Sequence, residues 1–158
     1  MRTVPTHIAI NPAVPIFIFL VFFAALWYIT SLLTAQFSGW AVLGRRFSST
    51  LPFPGQTWRW QSARMRWAAN YKGCLTIGAD PAGIYLSPLF FFRVGHPPLF
   101  IPWMEIALRG RRKILLVEVV ELELGREEPI PFMIRGRLAD QIRSAAASSW
   151  PRPAPSQL

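Results

Sequence analysis

With 158 residues, the chain has room for one small domain once its apolar N-terminal third is set aside. A formal net charge of +9, from 17 basic and 8 acidic residues, favours polyanionic surroundings. Because an apolar helix lies in the same chain, the anionic face of a bilayer is the simpler partner and nucleic acid the disfavoured one. The single cysteine, Cys74, excludes an internal disulfide and with it a disulfide-stapled secreted scaffold.

Between His7 and Arg45 there is no Asp, Glu, Lys or Arg. After an N-terminal arm over 1–13, the run V-P-I-F-I-F-L-V-F-F-A-A-L-W-Y-I-T predicts a transmembrane helix over 14–37, since about 20 apolar residues cross the hydrocarbon core. Asn11-Pro12 and Pro15 suit its start, and Gly39 is placed to end it. Trp27 and Tyr28 fall inside the span; Trp40 is expected at the headgroup level, followed by Arg45 and Arg46 as charged anchors. A cleaved signal peptide fits less well, because it would have a shorter apolar region and a small-x-small cleavage site. The basic residues flanking the C-terminal end of the helix favour a domain on the cytoplasmic side of an inner (plasma) membrane, in a single-pass arrangement.

Residues 38–56 read as a juxtamembrane segment, 57–149 as the domain and 150–158 as a disordered Pro-rich tail. Ala63, Met65 and Trp67 alternate with Arg64 and Arg66 as a strand with an apolar and a basic face, and Trp58 and Trp60 on the opposite parity imply a bulge near Gln61-Ser62. Tyr71, Gly73, Leu75 and Ile77 share one face of a second strand. The turn Ala79-Asp80-Pro81-Ala82-Gly83 leads into a short return strand at Ile84-Tyr85-Leu86. Three consecutive phenylalanines, Phe90 to Phe92, followed by His96-Pro97-Pro98, read as an apolar loop, because the prolines cannot join a central ladder; it is either partly exposed or folded over an open end of the sheet as core. A strand over Leu99–Leu108, a basic turn at Arg109–Lys113, a long strand over Ile114–Leu124 with a bulge near Val119-Val120, and a last strand over Ile130–Ile134 follow. Gly136–Ser149 closes the chain as a helix, with Leu138 and Ile142 on one face. The fold class is thus a transmembrane helix followed by a mostly β, α+β domain: a curled antiparallel sheet or partial barrel of about six strands, capped by a C-terminal helix.

The hairpin Leu75-Thr76-Ile77-Gly78…Gly83-Ile84-Tyr85-Leu86, the segment His96-Pro97-Pro98-Leu99-Phe100-Ile101-Pro102-Trp103 and Glu105-Ile106 together resemble the pleckstrin-homology-like (GRAM-type) domains of bacterial membrane proteins, over roughly Phe47 to Ser149. The resemblance implies a curled sheet capped by one helix and used for docking to lipids or proteins. It also implies that a phosphoinositide-binding member would carry Lys or Arg in the first hairpin loop, where this chain has Asp80 and no basic residue.

The sequence offers no catalytic constellation. His96 and Cys74 are too few for a metal site, no Gly-rich phosphate loop or nucleophile elbow is present, and no cofactor or small-molecule substrate is expected. Glu118, Glu121 and Glu123 are expected to pair with Arg on a neighbouring strand, with Arg135 and Arg64 as candidates. Two groups remain as binding candidates. Arg109, Arg111, Arg112 and Lys113 form the first, attracted to anionic lipid. Phe90, Phe91, Phe92, Phe100 and Trp103 form the second, an apolar patch for lipid or protein. The expected function is therefore a non-enzymatic docking module that binds a membrane protein partner or the anionic leaflet. The alternative is a structural subunit whose specificity lies in the transmembrane helix.

Overall fold

The computed structural model describes residues 11–66 and 69–152. Helix α1 runs from Ala13 to Ser38; at 1.5 Å per residue its 26 residues span about 39 Å, more than the roughly 30 Å of a hydrocarbon core. It is long and apolar enough to cross a membrane, and its most apolar stretch is not buried against the rest of the protein. Gly39 ends it in the left-handed region, φ 83°, where a side chain would also meet Ile130 Cδ1 at 2.7 Å. The chain then turns at once into helix α2, Trp40–Phe47.

Seven strands follow: β1 Gln56–Met65, β2 Ala69–Ala79, β3 Gly83–Pro88, β4 Leu99–Pro102, β5 Ile106–Ile114, β6 Val117–Leu124 and β7 Ile130–Arg135. They form one curled antiparallel sheet in the order β4-β3-β2-β1-β7-β6-β5, followed by helix α3, Gly136–Ala146. Leu138, Ala139, Ile142 and Ala146 turn into the core, where α3 meets β2, β6 and β7. Trp40 and Leu43 of α2 join the same core, so the segment after the membrane-length helix is part of the domain and not a linker to it.

The expected antiparallel sheet and closing helix are present, with one strand more than about six. The extra strand comes from Leu99–Leu108, which breaks at a 3-10 turn over Trp103–Glu105 into β4 and β5. Register shifts flank Gln61 in β1, where a bulge was expected. The second bulge falls elsewhere: between Leu108 and Gly110 of β5, while β6 is regular. Glu118 keeps the parity of buried Val120 and Leu122 without needing a bulge, because it lies beyond the end of the core and binds Arg111. Trp67 lies outside the described residues.

The outer face of β2 to β4 carries an aromatic layer. Phe53 stacks on Tyr85, ring centres 5.1 Å apart and 7° from parallel, and meets Phe100 at 6.0 Å. Gly78 gives Phe53 its seat, since a Cβ there would lie 2.6 Å from the ring. Phe53 thereby pins the segment between α2 and β1 to the sheet.

Candidate membrane-docking site

Where α1 meets the sheet, the last turns of the helix are held by hydrogen bonds as well as packing. The loop between β3 and β4 forms a 3-10 turn at Phe90–Phe92 and then passes along α1. Ser31 donates to the carbonyl of Val94 at 2.7 Å. Gly95, at φ 73°, comes so close to the helix that a Cβ would touch Leu32 Cδ2 at 3.0 Å and Ala35 Cβ at 3.2 Å. The indole N–H of Trp40 donates to the carbonyl of Pro97 at 2.8 Å.

Beneath this contact lies a buried chain of polar groups. His96 is 2 % exposed; its Nδ1 faces the Val94 carbonyl at 3.0 Å and so carries the proton. Nε2 is then the acceptor, 3.0 Å from the Tyr71 hydroxyl, which lies 3.1 Å from Ser38 Oγ in the last turn of α1. Burial lowers the pKa of His96 below its ordinary 6.5, with the Val94 hydrogen bond opposing. Burial likewise pushes Tyr71 up to about 12. Both rings are therefore neutral at pH 7, as burial disfavours the charged form of each. His96 is a structural residue that ties the sheet to α1.

The phenylalanine turn protrudes from this junction. Phe90 and Phe91 are 76 % and 73 % exposed, while Phe92 is 37 % exposed because it leans on Trp27 of α1, ring centres 5.2 Å apart. Trp27 lies eleven residues before Ser38 in the helix, or about 16 Å along its axis. The three rings thus sit beside the apolar shaft of α1 and not at its end. Tyr28 is exposed on the same shaft.

Other expected site residues lie elsewhere. Trp40 is fully buried, so it anchors the domain to α1 and does not reach a headgroup layer. Trp103 is 6 % exposed; its indole N–H donates to the Asp80 carbonyl at 2.7 Å and its ring meets Trp150 at 5.6 Å. It is core, and Trp150, placed with the tail by its composition, covers it. Phe100 is occupied by Phe53. Arg45 and Arg46 lie on α2, with Arg46 paired to Glu127 at 2.7 Å.

The basic run is not a turn. Arg109, Arg111, Arg112 and Lys113 belong to β5 and face the acidic strand β6. Arg109 binds Glu123 at 2.5 Å, Arg112 lies 3.5 Å from Glu121, and Arg111 bridges Glu118 and Asp140 of α3. The partners of these glutamates are thus β5 arginines, across the strand pair. Of the four cations, Lys113 makes no ion pair among the described residues. The turn itself is Leu115-Leu116, 91 % and 90 % exposed, with Leu115 at φ 55°, an unusual conformation for a branched apolar residue. Composition does not mark this tip, because the adjacent basic residues have the character of a turn and Leu115-Leu116 that of a strand.

Among the described residues no group of three or more His, Cys, Asp or Glu is arranged to hold a metal ion. Compared with protein-family models, with curated proteins and with solved structures, the chain finds no match.

Proposed function

We propose that the chain is a non-enzymatic, single-pass membrane protein whose domain rides on its own transmembrane helix, with the Phe90–Phe92 turn inserted into the leaflet beside that helix. The observation that carries this reading is the position of Phe92 against Trp27, with Phe90 and Phe91 left open to whatever surrounds α1. A phenylalanine moved from water to hydrocarbon gains roughly 1.5–3 kcal/mol. A basic residue near an anionic leaflet gains about 1 kcal/mol, and three of the four β5 cations already have carboxylate partners. Insertion of the aromatic turn therefore outweighs attraction of the basic strand. Orientation with the domain on the cytoplasmic side of an inner membrane follows from the basic flank of α1.

The seven-strand curled sheet followed by a helix supports the pleckstrin-homology-like reading of the domain, and with it a docking role. The Asp80 turn, read from the sequence as the first hairpin loop, joins β2 to β3 and is the second hairpin of the sheet; there the Asp80 carboxylate accepts from the backbone N–H groups of Ala82 and Gly83, at 2.8 Å and 2.9 Å. In this reading the lipid contact is the turn beside α1.

Limited trypsin digestion in reconstituted bilayers tests this. Arg93, exposed and directly after the turn, is expected to resist cleavage in the wild type and to be cut rapidly in the Phe90→Ser/Phe91→Ser double variant. Equal, rapid cleavage of both would overturn insertion. A second reading, a structural subunit of a membrane complex, is favoured by the Leu115-Leu116 tip. In that case co-purification of a partner is lost in Leu115→Ser/Leu116→Ser while the double phenylalanine variant retains it.

A further inference from the structure

We infer that the groove between α1 and the start of β2 holds one acyl chain of an anionic lipid whose headgroup is met by Lys72; the inference rests on the membrane-anchored reading above. The groove encloses about 520 Å³, within the roughly 300–1,000 Å³ range of small-molecule sites. One wall is the α1 face bearing Trp27, Thr30 and Thr34; the other is built from Tyr71, Cys74 and Phe92.

That lining is more apolar than its residue names suggest. Thr30 turns its hydroxyl to the Leu26 carbonyl at 2.8 Å, and Thr34 turns its own to the Thr30 carbonyl at 2.8 Å. Both threonines thus spend their hydroxyls on their own helix. Tyr71 and His96 are satisfied by each other. Among the described residues no buried side-chain nitrogen or oxygen lacks a partner, so the buried part of the groove needs no water; the exposed amide of Asn70 lies in the lining beside Lys72. Lys72 is the one charged residue of the lining; it is exposed and makes no ion pair among the described residues. An apolar slot with a single cation at its edge matches an amphiphile with an acidic headgroup. Lipid is the amphiphile at hand, because one wall of the slot is the helix proposed to cross the bilayer.

Cys74 is the only thiol of the chain and lines the groove, so its alkylation by a maleimide reports occupancy without an engineered probe. The full chain would be reconstituted in nanodiscs of phosphatidylcholine alone or of phosphatidylcholine mixed with phosphatidylglycerol. The expected result is alkylation about five-fold slower in the anionic discs, with the difference abolished in Lys72→Gln. A groove-filling Thr34→Trp variant is expected to react slowly in both lipids. Equal wild-type rates in the two lipids would overturn the assignment. So would an anionic effect that persists in Lys72→Gln, since it would then come from the bulk surface. A chain that fails to enter nanodiscs overturns the anchoring reading and the groove together, whereas equal rates inside the discs overturn the groove alone.

Discussion

The α1 junction and the β5–β6 pair both join polar groups across elements of this domain, and they are built on opposite terms. At the junction the polar groups are buried, few and fully satisfied: Ser38, Tyr71, His96, and the Trp40 indole on Pro97. On β5–β6 they are charged and lie at the surface, the arginines exposed and Glu121 and Glu123 half-buried, and they form a ladder of arginine and glutamate. Buried hydrogen bonds in a low-dielectric site are costly to break, because a group left alone has lost its water. Exposed ion pairs cost little to break, because water replaces the partner. The lesson is that the formal charge of a segment is a poor guide to where the structure stores its specificity. The uncharged junction fixes the geometry, whereas the basic strand mostly neutralises its neighbour.

Substitutions should expose that contrast, and the largest effect is expected at Trp40. Trp40→Ala removes a fully buried ring and leaves the Pro97 carbonyl unpaired, for a loss of about 3–5 kcal/mol. Thermal unfolding in detergent should show a large drop in Tm, with α1 no longer protected from proteolysis near Gly39. A change no larger than that of a surface variant would break the comparison. His96 should come next. Its pKa is lowered in the folded state, so the unfolded chain binds more protons as pH falls through its ordinary 6.5. Stability is then fully present above 6.5, declines as pH falls toward the lowered value and levels off below it. Tm measured from neutral to acid pH is expected to fall in the wild type, and His96→Gln should flatten that part of the curve while lowering Tm at neutral pH. The smallest effect is expected for Arg111→Ala, within about 1 kcal/mol despite two carboxylate partners, and it should shrink further in high salt. A loss comparable to that of Trp40→Ala would mean that the ladder is a fixed structural element.

Much of the fold could be read from local chemistry. The charge-free run after His7 gives α1. Asp80, Pro81 and Gly83 give the β2–β3 turn, and the spacing of Leu138 and Ile142 gives α3. What stayed hidden was non-local. Trp40 and Trp103 look the same at a headgroup layer as in a core, since an indole needs one acceptor and apolar neighbours in either place; only the carbonyls of Pro97 and Asp80, far away in sequence, decide between the two. Arg109 to Lys113 has the composition of a solvated turn, and its strand character depends on pairing with β6. The signal lies in Glu118, Glu121 and Glu123, whose partners β5 supplies only once the two strands pair. At the candidate site, the loop character of the phenylalanine turn follows from His96-Pro97-Pro98, which bars a central strand, but its exposure does not, since the same loop could have folded over the open end of the sheet. Nor does its lodging beside Trp27, because no local rule says which helix a loop will touch.

The most direct test of the account is the depth of that turn in a bilayer. A nitroxide on Phe91→Cys, in a Cys74→Ser background in nanodiscs, can be compared with one on Leu115→Cys by collision with oxygen and with a water-soluble nickel chelate. The account predicts that the label at 91 is relaxed by oxygen and shielded from nickel, as in hydrocarbon, while the label at 115 is open to nickel. Equal nickel access at both positions would contradict it and would leave the phenylalanine turn as a surface for some other partner.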